Sequence, residues 1–210
     1  MRISAANIPG MTVTIMGLGV HGGGLASARF FAERGATVTV TDLRDETTLA
    51  PSIRRLKDLP VRYVLGTHET NDFSGADLVI KNPAVPPTSP FLRYARRIET
   101  DVSIFLSLVN VSLIAITGTK GKSTTASAVH HLLRRRFPEA KLGGNITVSP
   151  LSFIDTYLAG DPAKHGSVVV LELSSWQLAD LKASPAFRPA IGVVTNIMPD
   201  HQNRYPDMQS

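Results

Sequence analysis

The chain has 210 residues, 43% of them hydrophobic and 19% charged, which is enough for one large or two small globular units and too apolar for a disordered chain. It contains no cysteine, which excludes disulfides and thiolate chemistry; no apolar run approaches the ~20 residues of a membrane span, so a cytoplasmic protein without membrane contact is expected. The net charge of +5 raises the question of nucleic acid, but the basic residues are scattered apart from Arg134-Arg135-Arg136, where a helix C-terminus favours cations, so small anionic substrates fit better and no nucleic-acid partner is expected.

In chain order, short β-branched runs alternate with amphipathic stretches, the pattern of parallel sheets covered by helices. A first series predicts strands over 12–16, 37–41, 61–65 and 78–81 and a helix over 24–34. Four prolines follow (Pro83, Pro86, Pro87 and Pro90), and then a predicted helix over 91–97. A junction is expected near 98–112. The second series predicts strands over 113–117, 168–173 and 191–195, with helices over 122–136, about 150–158 and about 176–182.

The strongest motif is Thr117-Gly118-Thr119-Lys120-Gly121-Lys122-Ser123-Thr124, between a predicted strand and a predicted helix. Glycines let backbone N–H groups close around phosphate oxygens, the helix N-terminus adds partial positive charge, lysine reaches terminal phosphates and the serine hydroxyl suits Mg²⁺. The spacing departs from the strict Walker pattern, because Ile116 stands where the first glycine belongs. A second glycine motif, Gly17-Leu18-Gly19-Val20-His21-Gly22, follows the first strand, and Asp42 closes the next one, 20 residues beyond Gly22. That layout suits a diphosphate at a helix N-terminus, whether of a dinucleotide or of a nucleotide-sugar. The expected fold class is therefore α/β: a Rossmann-like parallel-sheet domain over 1–100, followed by part of a P-loop NTPase-type α/β domain over 101–210.

Glu172 ends the apolar run Val168-Val169-Val170-Leu171, at the strand end where an open α/β sheet places its ligand, and is read as a Mg²⁺-holding acid. Asp200-His201 follows another strand end, and His201 is a candidate ligand to a second Mg²⁺ or to a phosphate.

Together with Gly143-Gly144-Asn145-Ile146, Glu172-Leu173-Ser174-Ser175-Trp176-Gln177-Leu178 and Asn196 through Tyr205, the lysine loop resembles the Mur ligases over nearly the whole chain. The Glu-Leu-Ser-Ser-aromatic-Gln-Leu segment is most similar to the members that add D-glutamate. The resemblance implies a monomeric cytoplasmic ligase of peptidoglycan precursor synthesis, with ATP and Mg²⁺ as cofactors and UDP-N-acetylmuramoyl-L-alanine and D-glutamate as substrates. It implies that Gly118, Thr119, Lys120, Gly121, Lys122, Ser123 and Thr124 surround the ATP phosphates, with Lys122, Glu172 and His201 catalytic and Ser123, Glu172 and His201 on metal. It also implies substrate contacts from Gly19, Val20, His21, Asp42, Arg44, Asn82, Asn145, Ser174 and Gln177, with Asp200 and Arg204 lining the same cleft.

Three departures from the resemblance stand out. Lys120 replaces the usual asparagine, and Asn82-Pro83-Ala84 replaces Ser-Pro-Gly. The family's carbamylated lysine and third, glutamate-binding domain have no counterpart before Ser210, since no lysine follows Lys182. An N-terminal portion that binds the UDP-substrate without completing ligation is therefore expected. Three other readings stay open: a nicotinamide-dependent oxidoreductase built on Gly17–Gly22 and Asp42, a nucleotide-sensing module, and a Mur ligase that adds a different amino acid.

Overall fold

The computed structural model describes residues 3–19, 22–158 and 167–199. Two all-parallel sheets are joined through one buried helix. The first sheet contains β1 (Thr12–Met16), β2 (Thr37–Asp42), β3 (Val61–Leu65), β4 (Leu78–Lys81) and β5 (Ile98–Glu99), in the order β3-β2-β1-β4-β5. Its helices are α1 (Gly23–Glu33), α2 (Glu46–Arg54) and α3 (Thr70–Ser74). β1 and β2 are buried along nearly their whole length, as expected of parallel strands covered on both faces.

α4 (Asp101–Leu108) follows, started by a Thr100/Ser103 capping box and buried at every position from Asp101 to Leu106. Apart from Asp101, Ser103 and Ser107 the helix is apolar, and a helix with so little polar surface lies inside the molecule. Its Val102, Ile104 and Phe105 share one core with Val13, Phe31 and Ile80 of the first sheet region and Leu113, Leu151 and Leu173 of the second. The second sheet contains β6 (Ser112–Thr117), β7 (Lys141–Gly144), β8 (Val168–Glu172) and β9 (Ile191–Val194), in the order β7-β8-β6-β9. Its helices are α5 (Lys122–Leu133), α6 (Asp155–Leu158) and α7 (Ser175–Leu181). No helix among the described residues is long and apolar enough to cross a membrane.

Several expectations need correction. The stretch expected to be a helix over 91–97 is a single 3-10 turn, Leu92–Tyr94, because the residues after it extend to pair Ile98–Glu99 with β4. The helix expected to reach 136 ends at Leu133: Pro138 disfavours helical backbone at Phe137, and Arg135 and Arg136 close the end with three-residue turns onto Leu132 and Leu133. The helix expected near 150–158 is split into a 3-10 turn, Pro150–Phe153, and the short α6. The stretch 98–112, where the junction is expected, contains β5 and the buried α4.

β7 was not anticipated at all, since Gly143-Gly144 weakens any strand pattern. Tertiary contact explains those glycines. A Cβ on Gly144 would sit 2.1 Å from the Glu172 carbonyl oxygen, and one on Gly143 would sit 2.9 Å from Phe153.

Candidate functional site

The lysine loop runs from the end of β6 into α5, the turn the sequence predicts. Gly118 has φ of 132° and Gly121, the N-cap of α5, has φ of 79°, both in the region that favours glycine. A Cβ at Gly118 would lie 2.1 Å from Thr195 Oγ1, so only glycine lets the loop approach the chain leaving β9. Gly121 has open space around it. The Lys122 ammonium donates to the Thr119 carbonyl at 2.9 Å and so folds back over the loop. Lys120, Gly121, Ser123 and Thr124 are exposed, and Ser123 and Thr124 lie in the first turn of α5, whose leading N–H groups have no intrahelical partner.

Glu172 closes β8 and lies in register beside Ile116 of β6, two residues before Gly118. Its side chain is buried. Oε1 accepts from Asn145 Nδ2 at 3.0 Å, while Oε2 has no hydrogen-bond partner among the described residues. A buried carboxylate oxygen without a partner costs stability unless a cation or donor completes it. No group of three or more His, Cys, Asp or Glu is gathered among the described residues. Such a site suits Mg²⁺, which takes one or two carboxylates and completes its shell with phosphate oxygens and water, better than a metal needing an all-protein cage.

Asn145, expected at the substrate, is thus held against Glu172, with its own N–H on the Glu172 carbonyl at 2.8 Å. Ser174 and Gln177 bond each other in the capping box that starts α7, with Gln177 N–H on Ser174 Oγ and Ser174 N–H on Gln177 Oε1. His201, Asp200 and Arg204 lie outside the described residues, as do Val20 and His21.

The described part of the first glycine loop is tied to its own unit. Gly19 donates its N–H to Asp42 Oδ2 at 3.1 Å and accepts from Ser52 Oγ at 2.8 Å. The other Asp42 oxygen accepts from Arg44 N and Nε. Asn82 folds into an Asx turn, accepting from Ala84 N at 3.0 Å, and its Cβ lies where a side chain at Gly17 would clash.

Sequence reading missed several residues around this loop. Ser52 lay in an unrecognised helix. His68 contacts Thr41 Oγ1 through Nδ1 at 2.6 Å and packs edge-on against Phe73 and Phe91; burial pushes its pKa down, while the Asp42 charge pulls it back up. Lys81, buried at the end of β4, donates to the Val85 carbonyl at 3.1 Å and pairs with Asp180 of α7 at 2.8 Å.

The two units also meet at Asp101, which is buried and accepts from Ser149 Oγ at 2.7 Å; burial raises its pKa above the usual carboxylate value. Thr147 has φ of 67° and places its carbonyl within 3.2 Å of where a Cβ on Gly22 would be, so the second unit abuts the first glycine loop.

Two parallel α/β units, each with a glycine turn between a strand and a helix, define a double nucleotide-type fold of which the second half is P-loop-like. Residues 11–104 match the family described as Mur ligase MurD-like, N-terminal domain, and residues 116–210 match the Mur ligase middle domain. The chain belongs to the Mur ligase family.

It is 49% identical over 200 residues to a UDP-N-acetylmuramoylalanine--D-glutamate ligase of Borreliella burgdorferi, covering 94% of this chain and 42% of that protein. It is 50% identical over 226 residues to the protein of the same name in Treponema pallidum, covering 100% of this chain and 41% of that one. The chain thus spans less than half the length of these relatives. Among solved structures, the UDP-N-acetylmuramate-alanine ligase MurC of Thermotoga maritima matches with a TM-score of 0.55 at 24% identity, over 94% of this chain and 44% of that one, a likeness of fold.

Proposed function

We propose that this chain supplies the UDP-substrate-binding and ATP-binding parts of a ligase that joins D-glutamate to UDP-N-acetylmuramoyl-L-alanine through an acyl phosphate, in the cytoplasm. The single observation that carries the reading is the buried Glu172 Oε2, without a hydrogen-bond partner among the described residues, at a strand end beside the strand that opens into Gly118–Ser123. The names of the relatives, at about half identity, supply the amino acid and the sugar nucleotide. Residues 1–100 would hold the UDP end and residues 101–210 the ATP.

In this reading the α5 N-terminus receives the ATP phosphates on its free N–H groups, and Lys122 exchanges the Thr119 carbonyl for a terminal phosphate oxygen. Glu172 and Ser123 would hold Mg²⁺, with His201 at a second ion, and bound Mg²⁺ would offset the repulsion between the alanine carboxylate and the anionic nucleotide. Asn145 holds Glu172 Oε1, which would leave Oε2 for the cation. Asp42 and Arg44 shape the first glycine loop around the UDP, and Asn82 closes its edge. A nicotinamide cofactor is less well served, since both Asp42 oxygens already bond the chain's own loop.

In the ligase carrying this chain, Lys122→Ala is expected to lower acyl-phosphate formation at least roughly 100-fold, read by hydroxylamine trapping. Near-normal turnover of UDP-N-acetylmuramoyl-L-alanine and D-glutamate in that variant would overturn the assignment.

A further inference from the structure

We infer that Asn196 is a positioning residue for polyphosphate, clamping the Lys120 peptide of the lysine loop from both sides; the inference rests on the reading that this loop binds phosphates. Asn196 leaves the end of β9, 76 residues away in sequence. Its Oδ1 accepts the Lys120 N–H at 2.9 Å, and its Nδ2 donates to the Lys120 carbonyl at 2.9 Å. Thr195 Oγ1 donates to the same carbonyl at 2.7 Å. The Asn196 carbonyl accepts the Thr119 N–H at 2.9 Å, and Thr119 Oγ1 both donates to the Met198 carbonyl and accepts the Met198 N–H.

The loop lies between two glycines with positive φ and would sample many shapes on its own. Ordering it only when ligand arrives would weaken binding, whereas a loop held beforehand does not lose that entropy on binding. The clamp also decides which amides serve. Thr119 and Lys120 N–H are already bonded to the chain leaving β9, so the phosphate seat is the first turn of α5, from Gly121 onward, where helix geometry leaves N–H groups without partners. Gly118 is required for the same reason, since any side chain there would push Thr195 and Asn196 off the loop.

The test uses this 210-residue chain and isothermal titration with Mg-tripolyphosphate, MgATP and adenosine. Asn196→Ala is expected to weaken tripolyphosphate and ATP by a similar factor, roughly tenfold for the loss of a paired hydrogen-bond set, and to leave adenosine unchanged. Amide exchange at Thr119 and Lys120 should accelerate in the same variant. A merely structural role would not separate phosphate from nucleoside. Thr195→Val, which keeps the side-chain shape, should give a smaller loss of the same kind and stands in if Asn196→Ala fails to fold. If the wild-type chain binds tripolyphosphate and both variants bind it equally well, the inference is overturned while the loop reading stands. If the wild-type chain binds neither anion, the loop reading falls and takes the inference with it.

Discussion

The two glycine loops look alike in sequence but are built differently. Among its described residues the loop after β1 is tied to its own unit: Gly19 is bonded by Asp42 and Ser52, and a Cβ on Gly24 would lie 2.2 Å from the Gly17 carbonyl oxygen. The loop after β6 is open at Gly121 and is held instead by side chains arriving from β9. The same turn chemistry can therefore be held by side chains of its own unit's next strand and helix or by side chains arriving from a strand much later in the chain, and what decides is the partner that the fold brings. The surroundings differ in the same way. β1, β2 and β4 at the centre of the first sheet are buried, whereas β9, at one end of the second sheet among the described residues, has Ile191 and Val194 more than half exposed.

The largest expected effect lies where the two regions are joined. Lys81→Met leaves Asp180 nearly buried without its cation and should cost about 3–5 kcal/mol in urea unfolding, with most of that recovered by adding Asp180→Leu. A loss below about 1 kcal/mol would mean that the pair does not couple the units.

The next contrast is between the loops themselves. Gly24→Ala should cost about 3 kcal/mol because the new methyl meets backbone that cannot yield, while Gly121→Ala should cost only about 1–2 kcal/mol of left-handed backbone strain. Equal costs would erase the distinction between a tightly packed and an open turn.

The smallest effect is electrostatic. Asp101 binds its proton more tightly in the folded chain than in the unfolded one, so its contribution favours folding at low pH and is progressively lost as pH rises above the unfolded value of 3.8. Asp101→Asn should therefore gain more stability, relative to wild type, at pH 7.5 than at pH 4. A gain that is flat across those pH values would show that the carboxyl is not destabilised by its burial at the junction.

Both glycine loops, the strands ahead of them and Glu172 at its strand end were legible, because alternation, β-branching and glycine-lysine-serine chemistry are local signals. The amino-acid pattern alone determined an α/β chain with two strand–glycine–helix turns and an acid placed after four apolar residues. Only the tertiary structure decided that α4 would lie inside a shared core, that Gly143-Gly144 would be a strand pressed against Glu172, and that Asp42, Ser174 and Gln177 would bond their own loops and caps. It alone also brought Asn196 to Lys120 and Asp180 to Lys81. Those contacts join residues tens of positions apart, and a hydrogen bond or ion pair between them exists only once the sheets have set the distance.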